Sequence, residues 1–273
     1  MKNALIIGII ISLLTLYWYF GSDGSLESYV QNADILTLEA KYTAEDIIEK
    51  HQKELLGNKD RTFQEPSLQF HPYLLMNVKY VDKNQKTKQG PIIWSQMDGE
   101  MVLNTETWEQ TRGFEDAIQA GASALEFRVL NVLAAHNGSQ TKAQLQNELN
   151  LELDSLNALL NSMKQKQLIV IKGNDVSLHF ENPLFNVPPQ TKMALAPVIK
   201  PNREGKKIGA RYSRSKIERI AKAAFGDEFT IRDMEEIYLP VLRIPLQNAD
   251  GTLLITDWNA LTGSKIYSGP VKR

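Results

Sequence analysis

The side chains of this chain that could hold a metal or move protons are four histidines, His51, His71, His136 and His179, and 32 carboxylates; there is no cysteine. No two histidines are spaced as metal ligands on one helix. Without cysteine there is no thiolate site, disulfide or cysteine nucleophile. Gly121-Ala122-Ser123-Ala124-Leu125 has the serine of a nucleophile elbow but not its closing glycine. Gly205-Lys206-Lys207-Ile208-Gly209 is too short to cradle a phosphate, and no Ser or Thr follows the lysines. Adjacent acids such as Glu235-Glu236 read as surface charge, and His71 before Pro72 as a packed or edge histidine. No residue is therefore assigned a catalytic, cofactor-binding or metal-binding role. A hydrolase with a spatially assembled site remains an alternative, because such a site leaves no local motif.

The net charge of −1 over 273 residues conceals segregation. Residues 115–182 hold five basic and eight acidic residues, residues 192–222 ten basic and two acidic, and residues 227–257 two basic and seven acidic. The middle segment contains Lys206, Lys207, Arg211 and Arg214, a candidate anion-binding face for lipid head groups or an acidic partner. The plainer reading is a solvated helix face that offsets the acidic strands after it. Aromatic residues are not interleaved with these cations, so stacking on nucleic acid is not indicated.

The elements that must position these residues begin with an apolar run. Ala4 to Phe20 carries no charge. As a helix it would cover about 25 Å of a bilayer core of roughly 30 Å. Ile6, Ile10 and Leu14 lie within it, and Tyr17, Trp18 and Tyr19 close it like an interfacial belt. The expectation is an uncleaved membrane anchor over 1–20. A cleaved signal ending near Ser22-Asp23-Gly24 and a buried core helix are the other readings. Lys2 precedes the run, and no basic residue follows it before Lys41. That asymmetry predicts a single-pass protein of the cytoplasmic (inner) membrane with its N-terminus inside and its bulk outside, among other envelope proteins.

A juxtamembrane linker is expected over 21–41 and an α+β unit over 42–114. In that unit Thr43 caps a helix ended by Gly57, and strands follow over Leu68–Val81, Pro91–Gln96 and Glu100–Leu103, with Asp98-Gly99 as a turn. A mainly helical module spans 115–182 and a Pro-rich linker or strap 183–205. A second α+β unit spans 206–273, with a helix from Ser213 to Phe225 and strands over Ile237–Leu246 and Thr252–Asp257. The two units run in parallel: Tyr42-Thr43 faces Tyr212-Ser213, Tyr73-Leu74 faces Tyr238-Leu239, and Ile92-Ile93-Trp94 faces Leu253-Leu254-Ile255.

In the helical module Leu125, Val129, Val132 and Leu133 form one stripe, Thr141 to Gln144 a capping box, and Leu153, Leu156, Leu160 and Met163 a second stripe. Leu168 to Ile171 and Val176 to Phe180 then read as strands about a Gly173 turn. This succession over residues 120–181 resembles the winged helix-turn-helix family, with Gln167 where many members have glycine. The resemblance implies a third helix that presents Ser155, Asn157, Asn161 and Lys164 to a partner. In that family the helix commonly enters DNA. Here the module's net charge of −3 and Asp154 at the helix start disfavour phosphate, so protein docking is the expected use. The last unit, with Asp-Trp-Asn-Ala-Leu-Thr-Gly at residues 257–263, resembles PepSY-type modules, which implies a binding or regulatory role.

The expected architecture is thus α+β: an N-terminal transmembrane helix, then two small helix-plus-antiparallel-sheet units flanking a winged-helix-like module. The expected function is a membrane-tethered, non-enzymatic binding or scaffold subunit of an envelope assembly, without cofactor. The alternative is a membrane-anchored DNA-binding regulator of opposite topology.

Overall fold

The computed structural model describes residues 34–57, 60–180, 182–201 and 205–266, and two long strands running side by side form its centre. The first half contains β1 (Asp34–Thr37), α1 (Ala44–Leu56), β2 (Arg61–Phe63), β3 (Ser67–Val81), β4 (Thr87–Ser95), β5 (Met101–Asn104) and β6 (Glu109–Gln110). The helical module follows as α2 (Phe114–Ala120), α3 (Ala124–Ala135), β7 (Ser139–Thr141), α4 (Lys142–Leu149), α5 (Leu153–Gln165), β8 (Ile169–Lys172) and β9 (Asp175–Leu178). The second half is β10 (Val198–Pro201), β11 (Lys206–Lys207), α6 (Arg214–Phe225), β12 (Thr230–Asn248), β13 (Leu253–Asn259) and β14 (Lys265–Ile266).

Two expectations are corrected. The α+β units do not stand apart on either side of the module. β3 pairs antiparallel with β12 from Phe70–Pro240 to Lys79–Thr230, so both halves share one sheet. Among the described residues that sheet has eleven strands, with β10-β1-β12-β3-β4-β5-β6 as its main path. The physical reason is that each unit has an apolar long strand with an open edge, and the cheapest cover for that edge is the matching strand of the other unit. The membrane anchor is the second correction. Among the described residues no helix is long and apolar enough to cross a membrane. The longest have 13 residues, about 20 Å. Ile6, Ile10, Leu14, Tyr17, Trp18 and Tyr19 lie outside the described residues. Within the expected 21–41 linker, Asp34–Thr37 is a strand paired with β10 and, at Thr37–Tyr238, with β12.

The two halves repeat one hydrogen-bonding pattern. Ser95 N donates to Glu100 O at 2.9 Å, and Asn259 N to Ser264 O at 2.8 Å. Ser95 Oγ accepts from the amides of Met97 and Asp98, as Asn259 Oδ1 does from Leu261 and Thr262. Gln96 N donates to Pro72 O, and Ala260 N to Pro240 O. Trp94 therefore corresponds to Trp258, so the sequence parallel of Ile92-Ile93-Trp94 with Leu253-Leu254-Ile255 is out of register.

Each half also reaches across to the other. The amides of Lys41 and Tyr42, just before α1, donate to Ala260 O in the second half, and those of Arg211 and Tyr212, just before α6, donate to Gln96 O in the first. β1 lies parallel to β12 and β11 parallel to β3. The crossing chains need close packing at two tight turns. Gly99 (φ +77°) leaves room for the Tyr212 ring and Gly263 (φ +70°) for the Tyr42 ring, and a Cβ would come within 3.3 and 3.2 Å of those rings.

The helices follow the same exchange. α1, closed at its start by a Thr43–Asp46 capping box, buries Ala44, Ile47 and Leu55 with Leu242, Ile244, Leu246 and Trp258 of the second half. α6 buries Ile217, Ile220 and Ala221 with Leu74, Met76 and Trp94 of the first half. The opposite face of the sheet packs Tyr73, Leu75, Ile93, Val102, Ile237, Leu239 and Val241, with Trp108 and Met193 against them. Met193 belongs to the Pro-rich segment, which is a strap. Thr191 N donates to Pro91 O at 2.8 Å and Lys192 N to Leu103 O at 2.8 Å.

Candidate functional site

The helical module is built by local signals. Thr141 and Gln144 cap α4 reciprocally, and Asn150 ends it in the left-handed region (φ 50°). The turn that follows starts α5, which buries Leu156, Leu160 and Met163 beside Val129, Leu130, Leu133, Leu145 and Leu149. Gln167 (φ 60°) adopts the left-handed backbone that glycine takes most readily, in keeping with the residue it replaces in the sequence pattern. β8 and β9 form the expected hairpin. Thr141, expected as a cap, also ends a short strand, Ser139–Thr141, that the sequence did not suggest and that pairs with β9, giving the sheet order β7-β9-β8.

The outward side of α5 is polar. Ser155, Asn161 and Lys164 are exposed and Asn157 is half-buried; helical spacing puts Asn157, Asn161 and Lys164 on one side of α5 and Ser155 on its opposite flank, so the four expected partner-facing residues do not form a single face. The module is not a loose appendage. Phe114 lies with Trp94 (4.8 Å between ring centroids), Phe127 (6.0 Å) and Phe225 (6.2 Å), which makes one core of sheet, α2, α3 and α6. Glu100 fastens the junction. Its carboxylate accepts from the amides of Gly113, Phe114 and Glu115 and from Thr111 Oγ1 at 2.7–3.3 Å. Burial pushes the Glu100 carboxyl up, against the donors that favour its charged form; Asp98 is likewise pushed up by burial.

The basic residues do not converge on one centre. Lys206 is exposed on β11, and Lys207 Nζ lies 5.3 Å from the centroid of the Tyr238 ring. Arg211 pairs with Glu115 at 2.7 Å, and Arg214 donates to Met234 O at 2.6 Å. Three of the four thus tie β11 and the start of α6 to their surroundings, and these contacts compete with any anion for the same donors.

Sequence reading missed a polar cluster on the apolar face of the long strands. Arg243 and Asp257 sit directly opposite on β12 and β13 and form two hydrogen bonds, 2.8 and 2.9 Å. The Gln69 amide links them to His71. Turned so that its oxygen accepts from Arg243 Nε at 3.2 Å and Nη1 at 3.1 Å, it sets its other amide atom 3.3 Å from His71 Nε2. Burial holds the His71 pKa below its usual value; Asp257 opposes this and Arg243 adds to it. The imidazole is thereby kept neutral beside a carboxylate already engaged by a guanidinium, an arrangement that fixes strand register. The first half has Leu75 opposite Ile93 at the equivalent position. The β12–β13 hairpin sets Arg243 opposite Asp257, and the pairing of β3 with β12 adds Gln69 and His71, so the one local signal was an isolated Arg and Asp, each in an apolar strand.

Among the described residues no group of His, Asp and Glu could hold a metal ion. Compared with protein-family models, curated proteins and solved structures, the chain has no match in any of the three.

Proposed function

We propose that the protein is a binding or scaffold subunit whose helical module is a winged-helix-like unit that docks a protein partner through α5. The observation that carries this reading is the side of α5 bearing half-buried Asn157 and exposed Asn161 and Lys164, a polar surface open to a partner. The helix order and the β7-β9-β8 sheet order support the family resemblance. Two physical arguments favour protein over nucleic acid. DNA affinity rests on several cations meeting phosphates, and this module has a net charge of −3 with Asp154 in the first turn of α5. The aromatic core joining the module to the sheet also suits a scaffold, because it fixes the docking face relative to the rest of the protein.

The test compares the full chain with an Asn157→Glu/Asn161→Glu variant in affinity purification with quantitative mass spectrometry, and in parallel measures retention of random-sequence duplex DNA at about 0.1 M salt. Proteins recovered by the parent chain and depleted at least tenfold by the variant support the proposal. Duplex binding that the two substitutions abolish would replace it with nucleic-acid recognition.

A further inference from the structure

The repeat within the sheet supplies its own comparison at the turn after each buried tryptophan. Asp98 Oδ1 accepts from Glu100 N at 3.0 Å, and Thr262 Oγ1 accepts from Ser264 N at 3.4 Å. One turn is closed by a carboxylate and the other by a hydroxyl, so closing it needs no charge. The second residue of each pair differs in the same way. Ser264 meets Thr262 hydroxyl to hydroxyl at 2.6 Å, whereas Glu100 holds the first three amides at the start of α2. Acids thus stand in place of hydroxyls in the half to which the helical module is joined.

Three carboxylates meet at that joint. Asp98, Glu100 and Glu115 are half-buried, and Glu115 N donates to Glu100 Oε1 at 2.9 Å. Arg211 is held by Glu115 at 2.7 Å, and Tyr212 Oη donates to the same oxygen at 3.1 Å. Exposed Arg112 donates to Asn182 O, Asp116 lies in the first turn of α2, and the Tyr73 phenol faces Asp98 from β3. Among the described residues no cation forms an ion pair with Asp98 or Glu100. Ionised together, the acids repel one another where little water screens them. Their donors divide unequally. Glu100 accepts from three amides and Thr111 Oγ1, and Asp98 from one amide and, at 3.3 Å, from Gln110 Nε2. A proton that enters this corner therefore goes to Asp98. Burial raises the affinity of Asp98 for it, and the Glu115 charge adds to that.

We propose that Asp98 is a proton-operated latch on the joint between the sheet and the helical module. With Asp98 protonated the module is held tightly; with all three acids ionised the joint loosens and admits water to hydrate them. The sign follows from linkage. A carboxyl that binds its proton more tightly in the closed joint than in water favours the closed joint as pH falls. His71 acts in the opposite sense, because burial keeps its imidazole neutral, but it lies among Gln69, Arg243 and Asp257, outside this joint. The latch sets how firmly the α5 surface is fixed to the sheet. It depends on the turn and on α2 alone, so it holds or fails independently of what α5 binds.

The test is hydrogen exchange of the full chain from pH 8.5 to 5, corrected for the intrinsic rate of each amide. Protection of α2 (Phe114–Ala120) is taken relative to that of α1 (Ala44–Leu56), which cancels changes in the stability of the whole sheet. In the parent chain this ratio is expected to rise about fivefold as pH falls. Asp98→Thr, which reproduces the Thr262 turn, and Asp98→Asn, which keeps a carbonyl acceptor, should each hold the ratio constant within about twofold. Carbon-13 carboxyl NMR of the parent chain should place the Asp98 midpoint above its ordinary value of 3.8. Three results would overturn the proposal: a ratio that does not change with pH in the parent chain, a slope that survives in both Asp98 variants, and an Asp98 midpoint at or below the ordinary value. Should both variants fail to fold, the slope and the carboxyl titration of the parent chain decide.

Discussion

Trp94 and Trp258 hold equivalent places in the two halves of the sheet. Both are fully buried, each lies one residue before the side chain that organises a tight turn, and each is followed five residues later by a glycine of positive φ packed on a tyrosine from the other half. Their surroundings have diverged. Trp94 meets Phe114 and Phe225, and its indole N–H donates to Gly99 O at 2.7 Å. Trp258 lies 4.5 Å from the His51 ring, and its N–H donates to Thr256 Oγ1 at 2.9 Å.

Because both indoles belong to one shared sheet, Trp94→Ala and Trp258→Ala should each cost about 3–5 kcal/mol, the range for large aromatic truncations in cores. Urea unfolding followed by far-UV circular dichroism should keep a single transition in both variants. A second transition in either one would show that the halves unfold independently.

The two turn glycines should differ in tolerance. A Cβ at Gly99 comes within 2.7 Å of Ile118 Cδ1 as well as 3.3 Å of the Tyr212 ring, whereas at Gly263 the nearest atom is in the Tyr42 ring at 3.2 Å, and at Gly121 (φ +60°) nothing lies within 4 Å. Gly121→Ala should cost about 1 kcal/mol from the left-handed backbone alone. Gly263→Ala should cost more and Gly99→Ala the most. Thermal unfolding of the three variants checks the order.

Glu100 satisfies three backbone amides at the start of α2 with one carboxylate. Glu100→Ala should therefore cost about 3 kcal/mol, since charged hydrogen bonds are lost and their donors stay behind. Ser264→Ala, at the equivalent place in the second half, should cost under about 0.5 kcal/mol because Ser264 is exposed. Hydrogen exchange of the α2 amides should rise in the first variant only.

His71 gives stability a pH dependence of definite sign. Its pKa is lowered in the folded protein, chiefly by burial, while the unfolded chain takes up the proton near the ordinary value of 6.5. The unfolded state then binds more protons as pH drops below that value, so stability should be full above about pH 6.5 and fall below it. Gln69, Arg243 and Asp257 face the imidazole. Urea midpoints from pH 8 to 5.5 should show the fall in the parent chain and a shallower one in His71→Gln. Equal slopes would assign the effect to other groups.

Local signals made the separate elements legible. The Thr43, Thr141 and Ser213 caps all start helices, and Leu156, Leu160 and Met163 of the expected stripe are buried on α5, whereas Leu153 is exposed. β12 was read too short. Arg232, Asp233, Glu235 and Glu236 interrupt its apolar alternation, yet all four are exposed and Met234 between them is buried. The register between the halves was missed because three apolar residues were matched to three apolar residues, where the informative match was the tryptophan and the turn after it. The exchange of β1, β11 and both helices between the halves, and the Gln69–His71–Arg243–Asp257 cluster, depend on contacts between distant parts of the chain that no local pattern encodes.

The pairing of β3 with β12 also orders events during synthesis. At roughly 5–20 residues per second, about 7–30 s separate the emergence of Val81 from that of Thr230. Through that interval β3 has no partner for the edge that β12 will take, and α1 waits still longer for the surface made by Leu242, Ile244 and Trp258. The helical module, whose own contacts are short in sequence, is translated in between. Nascent chains should therefore acquire helical structure before the sheet, and a ribosome stalled before residue 230 should hold the apolar strand Leu68–Val81 open to chaperones.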